Sequence, residues 1–187
     1  MLILLSAFVE QPSGGSSIRW VISHGGSLKV VGSTNVNNFS CSIMNYSRPD
    51  TLSVYRTSNN VRMTGNVQLD VEDFDCHNLV MTADLRKTLK AKQHPRLGIK
   101  FLNLNKFPGA NQQNVKGMVI IELAGVARQF EVNYTIVPGE RQTITLTGSR
   151  DIKFSDFNIV PPRKLGGMIQ TNDELKVEFK LRLKALD

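Results

Sequence analysis

The chain has 187 residues, 41% hydrophobic and 21% charged, with a formal net charge of +7. Those values exclude a disordered chain, and the length suits one domain with a buried core. The basic balance is compatible with nucleic acid or an anionic surface, so the placement of Lys and Arg has to decide between them.

The chain opens on an apolar stretch, Met1 to Phe8 (MLILLSAF), followed by a Gly- and Ser-rich run up to residue 17. Eight residues are too few to cross a bilayer. With no basic residues ahead of them, they read as the end of a secretory signal that starts upstream. Residues 1–17 are therefore expected to be an apolar segment and linker, and residues 18–187 a single domain.

Residues 18–22 read as a short strand holding the only tryptophan, Trp20. Gly25-Gly26 reads as a turn. Residues 27–32 and 36–44 are expected to be strands, with a break at 33–35. A weaker strand follows at 51–56. Residues 62–73 alternate cleanly, with Met63, Gly65, Val67, Leu69 and Val71 on one face.

The pattern then changes. Residues 84–92 are helix formers with Leu85 and Leu89 at i, i+4. Asp84 or Thr82 is the expected N-cap, and Pro95 the expected stop. Strands resume at 97–102, 115–123 and 126–137, the last two joined by the tight-turn pair Ala124-Gly125. Residues 143–154 alternate again, and 160–167 read as a loop. The clearest pattern comes last. Leu175, Val177, Phe179, Leu181, Leu183 and Ala185 form a dry row against Glu174, Lys176, Glu178, Lys180, Arg182 and Lys184. Strands dry on one face must fold over to hide it. The expected fold is all-β, an antiparallel lipocalin-like β-barrel of about eight strands with one short α-helix.

Two residues interrupt dry rows. Arg128 falls in register with Val126, Phe130, Val132 and Tyr134, and Arg150 with Ile144, Leu146, Ile152 and Phe154. A guanidinium there is costly unless relieved. Three readings stand: a rim position that snorkels outward, a register shift at a bulge next to Gly148, or contact with a ligand headgroup.

Chemistry for catalysis is missing from the pattern. His24, His77 and His94 have no metal-ligand spacing and sit at expected turns, so neither a metal site nor a cofactor is expected. There is no phosphate-cradling Gly-rich loop, dinucleotide fingerprint or nucleophile elbow. His77 adjoins Cys76, but neighbouring strand residues point apart. Cys41 and Cys76 read either as one disulfide or as two buried thiols. The wet faces carry the Lys and Arg with few aromatics between them, so a nucleic-acid stacking platform is not expected. What remains is apolar volume: Trp20, Phe101, Phe130, Tyr134, Phe154, Phe179 and Leu181 are the candidate lining of a barrel interior. A barrel of eight strands can be filled by side chains or can hold one small ligand.

Several stretches together resemble the YceI-like family of polyisoprenoid-binding barrels, in particular a divergent group with paired cysteines. They are 32–41 (GSTNVNNFSC), 74–76 (FDC), 81–95 with DLRKTLKA at its centre, 123–128 (LAGVAR) and 154–162 (FSDFNIVPP). Their order and spacing span about Trp20 to Leu186. The resemblance implies a non-enzymatic barrel with an apolar tunnel for a long isoprenoid or quinone-like lipid. It also implies a periplasmic location, which would fit a Cys41–Cys76 disulfide. Stable membrane insertion is not expected, and a homodimer is compatible with the pattern. A filled barrel acting in the envelope through a surface partner is the competing expectation.

Overall fold

A computed structural model describes residues 17–46, 48–57 and 60–186. The apolar stretch expected to be a signal remnant lies outside them. Ten strands are present: β1 (Ser17–Thr34), β2 (Asn38–Tyr46), β3 (Thr51–Arg56), β4 (Val61–Asp70), β5 (Arg96–Leu104), β6 (Gln113–Leu123), β7 (Val126–Pro138), β8 (Thr143–Lys153), β9 (Arg163–Lys164) and β10 (Ile169–Leu186). Among the described residues one α-helix, α1 (Leu79–Thr88), interrupts them between β4 and β5.

Strands β1, β3 to β8 and β10 close into an eight-stranded antiparallel barrel. Closure comes from β1 against β10, where Trp20 faces Ala185, Ile22 faces Leu183 and Val30 faces Val177. The other edge of β1 is shared. Its first part pairs with β3 and its second with β2, so β2 and β3 succeed one another along a single position of the wall. The dry row of β10 faces inward as its alternation requires: Leu175, Leu181 and Leu183 are buried while Lys176, Lys180, Arg182 and Lys184 are exposed. Burying such a leucine fully contributes about 1.5–3 kcal/mol.

Several expectations need correction. Gly25-Gly26 does not turn the chain. The two expected strands around it are one, β1, with a bulge between Ser23 and Ser27 where three residues of β1 lie opposite one of β10. Gly25 at φ +93° supplies the left-handed backbone there. The row expected at 62–73 ends as strand at Asp70, and Val71–Asp73 form a 3₁₀ turn that still buries Val71. The helix starts earlier than expected and ends earlier. Asn78 is its N-cap, accepting a hydrogen bond from the Met81 amide at 3.0 Å, so neither Thr82 nor Asp84 caps it. It stops through the left-handed turn at Lys90, φ +56°, not at Pro95. By contrast, Ala124 and Gly125 form the two-residue hairpin with both φ positive, and Leu123 faces Val126 across it.

Candidate functional site

One end of the barrel is covered by α1, the loop between β1 and β2, and the stretch from Phe154 to the start of β10. Beneath them lies a cleft of about 290 Å³. Its walls include Phe39 and Cys41 of β2, Met81 and Leu85 of α1, and Phe154, Pro162 and Ile169 of the last stretch. Below it is a smaller, wholly apolar chamber of about 50 Å³ between α1 and the barrel wall. Leu89, Leu97, Ile121, Leu123, Leu175 and Val177 surround it. Leu85 and Phe154 line both spaces and form the partition between them. Such a chamber stays dry, because water needs polar partners that it does not offer. Deeper still, Phe101, Phe179 and Leu181 edge a gap of only about 10 Å³, so most of the barrel is filled by side chains.

The partition is held in place by polar contacts at its edges. Phe154 begins a 3₁₀ turn, Phe154–Phe157, whose Ser155 amide and hydroxyl both donate to the Asp173 carboxylate. The hydroxyl's hydrogen bond leads in holding the Asp173 pKa below its ordinary value. Leu85 sits on α1, which Arg86 ties to Glu72 at 3.2 Å and which three further contacts fix. Cys76, two residues before Asn78, is bonded by a disulfide to Cys41 of β2. The Cys76 amide donates to the buried Thr82 hydroxyl at 3.0 Å. Asp84 pairs with Lys164 at 2.6 Å, tying the helix to β9 across the cleft. Of the two readings of the cysteines, the disulfide is the one present.

The expected lining residues separate into groups. Phe101, Tyr134 and Phe179 form one aromatic cluster, with ring centroids 5.9–6.5 Å apart. Leu181 adjoins it at the deep gap, and Phe154 stands at the partition. Trp20 is buried but lines none of these spaces, and Phe130 packs on Phe157 at 5.9 Å, also away from them. Burial pushes the Tyr134 hydroxyl's ionisation up, and that oxygen has no hydrogen-bond partner among the described residues. Arg128 and Arg150 are both exposed and line neither the cleft nor the chamber. Arg150 lies over the Phe130 ring at 5.9 Å, and Arg128 donates to the Ala127 carbonyl. The bulge reading fails for Arg150, because β8 pairs with β10 without interruption through Gly148 to Lys153. Among the described residues no cluster of His, Cys, Asp or Glu could hold a metal ion.

The chain-order pattern misses Phe39, Met81 and Ile169, because the cleft arises where three distant segments meet. One signal points to part of it: Met81, Leu85 and Leu89 recur at i, i+4, the spacing of one helix face.

A closed antiparallel barrel with a helix over one end and an apolar cleft beneath it defines a lipocalin-like barrel. The pattern of the YceI-like domain matches residues 11–183, and the chain belongs to that family. Among solved structures it is similar to BcnA of Burkholderia cenocepacia, at 20% identity and TM-score 0.62, over 84% of this chain and 95% of that one. It is also similar to a polyisoprenoid binding domain from Saccharophagus degradans implicated in plant cell wall breakdown. There the identity is 12% and the TM-score 0.68, over 90% and 98% of the two chains. A YceI protein of Campylobacter jejuni aligns at 16% identity and TM-score 0.54, over 64% and 70%. No curated protein matches the chain.

Proposed function

We propose that the protein binds a long apolar lipid of the isoprenoid or quinone class and carries or sequesters it without chemical change. The chain of the lipid enters the cleft beneath α1 and passes between Leu85 and Phe154 into the barrel. The observation that carries this reading is the sharing of those two side chains by an open cleft and a deeper apolar chamber. The cleft's 290 Å³ lies at the lower end of the roughly 300–1,000 Å³ of ligand pockets, so a long chain needs the partition to swing aside. Family membership and the likeness to a polyisoprenoid binding domain support the ligand class. The headgroup stays near the cleft opening; Arg128 and Arg150 stand apart from it. The Cys41–Cys76 disulfide supports export to an oxidising compartment such as a periplasm.

Leu85→Trp tests the route by filling the partition. Binding of a long-tailed ubiquinone is expected to fall at least about tenfold in this variant, while a short-tailed analogue that ends in the cleft still binds. Equal binding of the long-tailed quinone to both proteins would contradict the route. The competing reading, a filled barrel that acts through a surface partner, draws on the small interior volume. It is favoured if the wild-type protein binds neither quinone.

A further inference from the structure

Six of the ten large hydrophobic side chains that the described residues leave exposed frame one end of the barrel. Leu79 (91% exposed) and Val80 (71%) open α1. Val36 lies in the loop between β1 and β2. Val160, Leu165 (66%) and Met168 (71%) lie on the stretch leading into β10. The same segments line the cleft through Thr34, Asn37, Val80, Lys164 and Ile169, so the apolar tips surround its opening.

These tips are held together. The Asn35 side-chain amide donates to the Met168 carbonyl at 2.8 Å, and the Gln170 amide donates to the Asn35 side-chain oxygen at 2.9 Å. The Lys164–Asp84 pair joins the same stretch to α1. Leu165 is kept in the left-handed region at φ +50°, a conformation disfavoured for leucine, with its side chain in solvent. Contiguous apolar surface rimmed by polar groups marks a contact surface.

Charge identifies the partner. Segments 34–39, 77–88 and 158–172 carry four cations; Arg86 pairs with Glu72 and Lys164 with Asp84, which leaves Lys87 and Arg163 exposed and without an ion-pair partner among the described residues. Apolar tips among basic side chains suit the interface of an anionic bilayer, where the tips enter the headgroup layer and the cations meet lipid phosphates. We propose that this rim docks the protein on an anionic lipid bilayer with the cleft facing the membrane. Docking would let a lipid pass between bilayer and cleft without crossing water. The inference deepens the lipid-carrier reading, and the two can fail separately.

The test is co-sedimentation of the full chain with vesicles of phosphatidylcholine alone and of equal parts phosphatidylcholine and phosphatidylglycerol. The wild-type protein is expected to partition at least about tenfold more strongly onto the anionic vesicles and to be released by salt. The double variant Leu79→Asp, Leu165→Asp should lose binding, and Arg163→Glu should weaken it on anionic vesicles only. Val137→Asp, outside the rim, should bind as the wild type does. Circular dichroism and elution volume establish that each variant folds. Wild-type protein that stays in the supernatant with both vesicles would overturn the proposal and leave the rim to a protein partner. So would a double variant that binds undiminished, or one that instead dissociates a dimer, which would assign the rim to a second copy of the chain. Vesicle binding without extractable lipid would uphold docking and sink the carrier reading; extractable lipid without vesicle binding would do the reverse.

Discussion

Single residues decide how the interior is filled. Gly148 faces Phe179 across β8 and β10, and a Cβ there would lie 2.4 Å from two atoms of the Phe179 ring. The absence of a side chain at Gly148 lets that ring lie against Tyr134 and Phe101. Gly148→Ala is therefore expected to cost about 1–3 kcal/mol, read from the denaturant midpoint, because the ring must leave its place. An unchanged midpoint would show the cluster to be loosely packed. Tyrosines report on the same interior. Burial raises the Tyr134 pKa. Burial first, and then the hydrogen bond that Tyr46 donates to Asp50, raises that of Tyr46. A folded pKa above the unfolded value means that folding disfavours the ionised form. Stability from these groups is thus fully present below pH ~10 and declines as pH rises past it. Spectrophotometric titration should show both tyrosines ionising only with unfolding. Reversible ionisation of both near pH ~10 in the folded protein would contradict the burial described.

At the scale of elements, α1 carries the site and its position depends on a few ties. The disulfide closes a loop with a sequence separation of 35 residues and anchors the start of the helix to β2. Replacing Cys41 and Cys76 with alanine is expected to lower stability by about 4 kcal/mol in the chain-entropy view. The added expectation is local: amides of α1 should exchange faster in the variant, measured by hydrogen exchange, while those of β6 and β7 hold. Uniform exchange throughout would mean that the disulfide acts on the barrel as a whole. Elements also show what the sequence can carry. The alternation of β10 and the Ala124-Gly125 turn are legible because one face and one turn type each leave a local signature. The continuity of β1 is not, since a diglycine bulge and a diglycine turn look alike until β10 is seen to pair on both sides of it. The start of α1 is hidden for another reason. Leu79 and Val80 point into solvent, where a helix of a globular protein normally places polar residues.

For the whole molecule, closure of the barrel was legible before the cleft was. Closure follows from many dry faces, whereas the cleft depends on three segments that lie far apart in the chain and converge over one end. Phe154 is legible as an inward position, but its place at a partition follows only from its meeting with Leu85. Trp20 and Phe130 sit on dry faces as their alternation requires, yet line none of these spaces, because burial on a strand does not distinguish packing from lining. Binding of a long lipid therefore requires the chamber behind Leu85 and Phe154 to open and admit the lipid chain. Native mass spectrometry of the purified protein, followed by organic extraction and lipid identification, tests it most directly. A discrete adduct that extracts as an isoprenoid is expected. A bare protein mass, unchanged after incubation with isoprenoid quinones, would contradict it.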